Sequence, residues 1–143
     1  MKKEISTAIT INATPQKIWS ILMDFEAYPK WNPFIKKISG NRVQGGKLKV
    51  KIHPSEGKAM QFNPEVKSLI EHKEFSWLGK LLIRGLFDGH HIFELQPNAD
   101  GSVHFIQREK FSGLLVSMID LSKTEQGFRA MNEKLKELAE NLG

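Results

Sequence analysis

The sequence predicts an α+β fold in which a curved antiparallel sheet of seven strands surrounds a long C-terminal helix. Three features support this prediction. Residues 3–11 alternate between apolar and polar side chains, as a half-buried strand does. Residues 35–111 contain strand-like runs separated by turn residues, with no room between them for a crossover helix, so neighbouring strands should pair antiparallel. Residues 115–142 keep apolar side chains at helical spacing.

Length and composition predict a single domain, residues 1–143. A chain of 143 residues buries about 68% of its unfolded surface around one core, and two domains of ordinary size would not fit. The chain has no cysteine, which excludes disulfides, iron–sulfur clusters and thiolate zinc sites. No window approaches about 18 consecutive apolar residues, and the N-terminal residues lack the apolar run of a signal peptide. We therefore expect a cytoplasmic protein without membrane insertion.

The first strand and two short helices account for residues 3–31. One side of the strand carries Ile5, Thr7, Ile9 and Ile11. Thr14 and Pro15 then supply an N-cap and a first helical residue. Helical spacing follows at Ile18, Trp19, Ile21, Leu22 and Phe25. Pro29 and Pro33 leave room for only one further helical turn, ending near Trp31.

Six strands follow, each bounded by turn residues. The run that starts at Ile35 ends at the glycines of positions 40, 45 and 46. The later runs are residues 47–53, 58–71, 75–82, 91–95 and 103–107. Asn63 and Pro64 should bend the long strand 58–71, and residues 96–101 form a polar hairpin turn. With the N-terminal strand, the sheet has seven strands.

A helix over residues 115–142 would be about 40 Å long and needs a broad apolar partner. Only the face of the sheet is large enough to cover it. Gly127 lies in the middle of this helix, where glycine costs about 1 kcal/mol relative to alanine. Three explanations remain open: missing side-chain volume that faces a ligand, the close approach of a strand, or a kink.

The order of elements and four local motifs resemble a known superfamily. The motifs are PQKIW (residues 15–19), FEAYPKWNPF (25–34), EKFSG (109–113) and GFRAMN (127–132). They are similar to the START/Bet v 1-like SRPBCC superfamily, specifically its bacterial polyketide cyclase/dehydrase-like branch. The resemblance implies the helix-grip fold, with an elongated and mostly apolar cavity between the sheet and the last helix. This superfamily includes lipid and hormone carriers, aromatase/cyclases and co-chaperone activators, so the fold leaves the activity open.

Aromatic and methionine side chains are abundant enough to line such a cavity, and they are equally suited to filling it as ordinary core. The candidates are Trp31, Phe62, Phe75, Trp77, Phe93, Phe105, Phe111, Met118, Phe128 and Met131.

Three polar residues share the strand parity of these aromatics. His91 falls in step with Phe93, while Gln107 and Glu109 fall in step with Phe105. An ionised Glu109 inside an apolar interior should pair with His91, Arg84 or Arg108, bind a ligand donor, or lie at a wet rim. The trio is either a polar anchor for a ligand or a satisfied structural network, unless a bulge resets the parity near Glu109.

We therefore predict binding of a small hydrophobic or amphipathic ligand, such as a lipid or an aromatic or polyketide-like compound. We expect a binding protein rather than an enzyme. The enzymatic alternative is a cyclase or dehydratase in which His91 or Glu109 moves protons. No cofactor and no metal are expected, because the five histidines lack metal-ligand spacing. We expect a monomer or weak homodimer.

A third hypothesis concerns residues 30–58, which hold eight basic residues and only one acidic residue. Such a segment can attract nucleic acid, acidic lipid headgroups or an acidic protein, as in a co-chaperone-like module. Lys47, Lys49 and Lys51 alternate with aliphatic residues, however, which favours a solvated strand face that also resists edge pairing. We expect no nucleic-acid partner.

Overall fold

The computed structural model describes residues 2–53, 59–80, 88–114 and 120–141. Within these residues, eight strands form two antiparallel sheets, and short helices and one long helix complete the fold. The strands are β1 (Lys2–Ile11), β2 (Ile35–Gly40), β3 (Leu48–Ile52), β4 (Met60–Phe62), β5 (Glu65–Ile70), β6 (Glu74–Lys80), β7 (Asp88–Pro97) and β8 (Val103–Ser112). The helices are α1 (Pro15–Met23), a 3-10 turn (Phe25–Ala27), α2 (Tyr28–Trp31) and α3 (Ser122–Glu140).

The larger sheet has five strands in the order β1-β8-β7-β6-β5. β8 pairs along its full length with β1 on one side and β7 on the other. In β1, Ile5, Thr7 and Ile11 are buried, whereas Ser6 and Ala8 on the opposite face are exposed. The predicted alternation of the first strand is therefore confirmed.

The smaller sheet has the order β2-β3-β4. The prediction of one strand over residues 58–71 was wrong, because the chain changes sheets at Asn63 and Pro64: β4 pairs with β3, and β5 pairs with β6. Proline has no N–H for a sheet ladder, so it suits this junction. The Pro64 carbonyl instead accepts the Leu48 N–H at 2.9 Å and helps to join the two sheets. The described residues therefore contain eight strands rather than seven.

The two predicted short helices are confirmed. Thr14 caps α1, with its hydroxyl oxygen accepting the Lys17 N–H at 3.1 Å, and Pro15 occupies the first turn. The buried face of α1 consists of Ile18, Trp19 and Leu22. α2 is a single turn whose buried residue is Tyr28. This segment closes one end of the core.

α3 begins at Ser122, so the predicted start at residue 115 was wrong. Leu121 has a non-helical backbone, and the Asp120 carboxylate accepts the Ser122 N–H at 3.0 Å. An acidic acceptor at this point satisfies a donor that has no partner within the helix, and so favours a helix start here. Residues 115–119 lie outside the described part of the chain. The buried face of α3 contains Phe128, Met131, Leu135 and Ala139.

The glycine inside α3 has a specific structural reason. A Cβ at position 127 would overlap the ring of Phe34, which lies in the segment between α2 and β2. Phe34 is 2% exposed and packs edge-on against Phe128, with ring centroids 5.4 Å apart. Close approach is therefore the reason for Gly127, but the approaching group is an aromatic side chain rather than a strand. The described part of the chain contains no helix with the length and apolar character that a bilayer crossing requires.

Candidate ligand-binding site

A cavity of about 100 Å³ lies between the smaller sheet, β6–β8 of the larger sheet and the first turn of α3. Most of its lining is apolar. The lining residues are Phe34, Ile52, Met60, Phe62, Trp77, Gly79, Gly89, His91, Glu109, Phe111, Leu121 and Thr124. Met60 is 41% exposed, so this wall reaches the protein surface.

Two strand glycines create space in the sheet beside this cavity. Gly79 on β6 lies directly opposite Gly89 on β7. A Cβ at position 79 would lie 3.0 Å from the ring of Phe62, and a Cβ at position 89 would overlap Oε2 of Glu109. The glycine pair therefore makes room for one aromatic wall and for the carboxylate of the site.

A turn of the backbone positions Phe34, another residue of the cavity lining. The Asn32 side-chain oxygen accepts the N–H groups of Phe34 and Ile35 at 2.9 and 2.8 Å. Asx turns of this kind fix the local backbone. The ring of Phe34 is thereby held against Gly127, where it also borders the cavity.

His91 is more buried than Glu109, the other ionisable residue of the cavity lining. It is 3% exposed and stacks on Trp77, with ring centroids 4.8 Å apart and planes 23° apart. Its other neighbours include Phe93 at 4.7 Å and Phe128 at 4.9 Å. Aromatic packing therefore fixes the orientation of the ring and leaves its two nitrogens to polar partners.

A buried hydrogen-bond chain joins His91 to α3 and β1. Its direction is fixed by backbone carbonyls, which can only accept. The Thr7 hydroxyl donates to the Gln107 carbonyl at 2.8 Å and accepts from the Asn132 amide at 2.9 Å. The Gln107 amide donates to the Asn132 side-chain oxygen at 2.7 Å and to the Phe128 carbonyl at 3.3 Å. The side-chain oxygen of Gln107 must therefore accept, and Nε2 of His91 donates to it at 3.0 Å.

This assignment has a chemical consequence at the other imidazole nitrogen. Nδ1 of His91 lies 3.2 Å from Oε1 of Glu109, whose side chain is 14% exposed. Nδ1 of His91 is therefore the ring nitrogen that faces the Glu109 carboxyl, and this contact lies at the wall of a mostly apolar cavity.

Trp77, which also lines the cavity, carries a buried indole N–H. Trp77 is 1% exposed, and its Nε1 has no hydrogen-bond partner among the described residues. A buried donor without an acceptor costs about 1–3 kcal/mol. In the described part of the chain, no three His, Asp or Glu side chains come together as a metal site requires.

The predicted site residues lie in several different environments. Phe62, Trp77, His91, Glu109 and Phe111 line the cavity. Core positions away from the cavity are occupied by Phe75, Phe93, Phe105, Phe128 and Met131, all fully buried. Trp31 packs against Tyr28 with ring centroids 5.3 Å apart, and Gln107 belongs to the hydrogen-bond chain. Met118 lies outside the described residues, as does Arg84. Glu109 pairs with His91, whereas Arg108 pairs with Glu94 at 2.6 Å.

Sequence reasoning missed several lining residues. These are Phe34, Ile52, Met60, Gly79, Gly89, Leu121 and Thr124. The two glycines carried a usable signal, because a glycine within a strand often marks a close approach. Phe34 carried no periodic signal, since it lies between prolines and a strand.

Comparisons with known proteins agree with this architecture. Residues 2–140 match the model of a protein family described as polyketide cyclase / dehydrase and lipid transport. No curated protein matches the sequence at a significant level.

Solved structures show the same fold. A START superfamily protein from Mycobacterium smegmatis is 22% identical over 98% of this chain and 99% of that chain, with a TM-score of 0.74. A hypothetical protein from Helicobacter pylori is 13% identical over 96% of this chain and 88% of its own, with a TM-score of 0.78. The di-domain ARO/CYC BexL of the BE-7585A biosynthetic pathway is 9% identical, with a TM-score of 0.77, and the match covers 99% of this chain and 51% of BexL. With a family match over almost its whole length, the chain belongs to the polyketide cyclase/dehydrase and lipid transport family of the START/Bet v 1-like superfamily.

Proposed function

We propose that the protein binds a small, mostly apolar molecule that carries one oxygen function, in the cavity beside His91 and Glu109. The observation that supports this proposal is a mostly apolar cavity whose lining includes the Glu109 carboxyl and Trp77, a residue with an unpaired buried indole N–H. Apolar area supplies affinity in such sites, and isolated polar groups orient the ligand.

The size of the cavity narrows the ligand class. A dry apolar cavity of about 150 Å³ is known to admit benzene, and the cavity described here has about 100 Å³. This volume suits one ring or the end of an acyl chain. Burying about 150 Å² of apolar surface contributes about 4 kcal/mol, which corresponds to a Kd near 1 mM for a single ring.

Cyclohexanone and its isostere methylenecyclohexane test the polar part of the proposal. Both are measured by ligand-observed NMR against the wild type and against Trp77→Phe. If the indole N–H donates to the ketone, the substitution weakens cyclohexanone about 5-fold more than methylenecyclohexane, the equivalent of one hydrogen bond. Equal weakening of the two ligands would exclude this donor role.

Filling the cavity tests its location. Thr124→Phe adds a ring at the first turn of α3, where Thr124 lines the cavity, and should abolish binding of both probes. Ala130→Phe places the same ring at an exposed position of the same helix and should leave binding unchanged. Unaltered binding by a folded Thr124→Phe variant would place the ligand elsewhere.

A second candidate function is acid–base catalysis on a carbonyl compound, and the contact between His91 and Glu109 at the cavity wall favours it. In its carboxylate state, Glu109 would remove a proton from the carbon next to a carbonyl group. The C–H electron pair would form an enolate whose oxygen accepts from Trp77 Nε1, and Glu109 would return a proton to carbon. BexL, one of the solved structures with this fold, is a di-domain ARO/CYC protein.

Solvent exchange tests this chemistry without knowledge of the natural substrate. In deuterated water, the wild type should accelerate exchange of the α-protons of cyclohexanone, and Glu109→Gln should remove the acceleration. Glu125→Gln changes an exposed helix carboxylate and serves as the control. Equal exchange rates with the wild type and Glu109→Gln would eliminate Glu109 as the base.

A further inference from the structure

We propose that the outer face of the smaller sheet binds the surface of an anionic membrane. Three lysines on this surface, Lys37, Lys49 and Lys51, define what we call the basic face. They border an open groove of about 310 Å³ together with Ser39, Val50 and Gln61. This inference goes beyond the proposed function, because it concerns the exterior of the protein and not the ligand cavity.

The basic face concentrates like charge on neighbouring strands. Lys37 on β2 lies directly opposite Lys51 on β3, and Lys49 lies opposite Ser39 in the same ladder. Like charges directly opposite each other destabilise a sheet. The arrangement therefore carries a cost in the free protein that a bound anion would remove.

In the part of the chain that the structure describes, the lysines of this face have no acidic partner. Among the described residues, none of the three forms an ion pair, whereas nearby basic groups do. Arg42 pairs with Glu26 at 3.3 Å, and Lys47 pairs with Glu65 at 3.2 Å. Positive charge is thus neutralised around the basic face but not on it.

Protection of a sheet edge, the simplest reason for lysines on a strand, does not account for two of the three. Lys49 and Lys51 belong to β3, which is the central strand of the sheet, with β2 and β4 on either side. A central strand has no free ladder to protect. The charge on β3 therefore needs another explanation.

One feature favours a membrane over a nucleic acid. Among the described residues, the groove contains neither arginine nor aromatic side chains, which single-stranded nucleic acids use for stacking and bidentate contacts. Clustered lysines attract proteins to the surface of anionic lipids without such contacts.

Vesicle sedimentation tests this proposal with the full chain. We expect binding to phosphatidylcholine vesicles with about one third phosphatidylglycerol, and not to phosphatidylcholine alone. Replacing Lys37, Lys49 and Lys51 with Gln should lower the affinity on the order of 100-fold, since each lysine near the surface contributes about 5-fold. Raising the salt from about 0.1 M to about 1 M should release the wild type.

A matched triple variant distinguishes the effect of the basic face on vesicle binding from the effect of the protein's net charge. Replacing Lys73, Lys110 and Lys134 with Gln removes the same charge from other exposed positions and should retain binding. Equal loss in the two triple variants would show that net charge alone drives binding and would overturn the proposal, as would absence of wild-type binding to anionic vesicles.

Two further experiments identify the partner and distinguish membrane binding from the proposed ligand binding. A single-stranded oligonucleotide that binds as tightly as vesicles, with the same lysine dependence, would contradict a membrane-specific face. Thr124→Phe, which fills the cavity, should bind vesicles like the wild type, so the two proposals can fail independently. If the variant that lacks Lys37, Lys49 and Lys51 folds poorly, the release of wild-type protein from vesicles at high salt still tests whether the binding is electrostatic.

Discussion

Tyr28 is the only tyrosine of the chain, and its hydroxyl is buried, donating to the Leu22 carbonyl at 2.8 Å. Burial raises the pKa of this phenol far above its ordinary value of 10.0. A group whose pKa is higher in the folded than in the unfolded protein contributes its full stabilisation at pH values below the unfolded pKa. This stabilisation is lost as the pH rises above the unfolded pKa.

Tyr28 should therefore ionise only when the protein unfolds. Above about pH 10, wild-type stability should fall by about 1.4 kcal/mol per pH unit more steeply than that of Tyr28→Phe. Near neutral pH the variant should be less stable by about 1 kcal/mol because it lacks one hydrogen bond. The ultraviolet absorbance of tyrosinate, followed with circular dichroism, measures this directly. Tyrosinate signal from folded protein would refute it.

Gly127 offers a second test at the scale of one residue. Alanine has the higher helix propensity, by about 1 kcal/mol. A Cβ at this position would nevertheless overlap the buried ring of Phe34, and overpacking of this kind costs about 1–3 kcal/mol. Gly127→Ala should therefore lower the free energy of unfolding in urea. In a Phe34→Leu background the same substitution should be neutral or stabilising, and a stabilising effect in the wild type would refute the overlap.

Gln107 links three buried groups, and its replacement tests the hydrogen-bond chain. Gln107→Met keeps the shape but leaves Nε2 of His91 and the Asn132 side-chain oxygen without their partners. We expect a loss of about 3 kcal/mol in urea unfolding. Gln96→Met, at an exposed position of β7, should change stability by less than about 0.5 kcal/mol. Similar effects of the two substitutions would contradict the network.

At the scale of elements, hydrogen bonds from the last turn of α3 hold this helix against the N-terminal segment. Glu140 accepts the Asn12 N–H and the Lys136 ammonium, both at 2.7 Å, and Lys136 also donates to the Thr10 carbonyl at 2.8 Å. These bonds, the Asn12 N–H first, hold the pKa of Glu140 below its ordinary value of 4.5. The carboxylate thus favours docking of the helix end on β1.

Acid should weaken this attachment. A carboxyl with a lowered folded pKa contributes stability above its unfolded pKa, and loses it as the pH falls through the folded value. Wild type should be more stable than Glu140→Gln near neutral pH, and the difference should shrink below the ordinary pKa of 4.5. Urea unfolding over a pH series measures it, with Glu133→Gln as an exposed control on the same helix. A difference that persists at low pH would count against the charged contact.

Elements set by local pattern were predictable, and those set by distant partners were not. The alternation of β1 and the Thr14-Pro15 start of α1 depend on neighbouring residues, so the sequence displays them. The change of sheet at Asn63 depends on the pairing of β4 with β3 and of β5 with β6, which no local pattern reveals. The alternation within each strand predicted that His91 and Glu109 face the same side. It could not predict that Gly79 lies opposite Gly89, because that pair depends on the register between β6 and β7.

At the scale of the whole molecule, the long helix and the larger sheet are closely packed along much of their contact. Phe128, Met131 and Leu135 are fully buried there, as are Phe93 and Phe105. The elongated cavity implied by the resemblance is therefore reduced, among the described residues, to a cavity at the N-terminal end of α3. The contact between His91 and Glu109 lies at this cavity, whereas the basic face is on the opposite face of the smaller sheet.

The most direct test of a ligand cavity is methyl NMR during a titration with cyclohexanone. We expect the methyl signals of Ile52, Met60 and Leu121 to shift and to saturate near millimolar ligand, because these side chains line the cavity. The signals of Met131 and Leu135, in the packed core, should stay in place. Absence of shifts at the three cavity methyls, or equal shifts in Thr124→Phe, would contradict it.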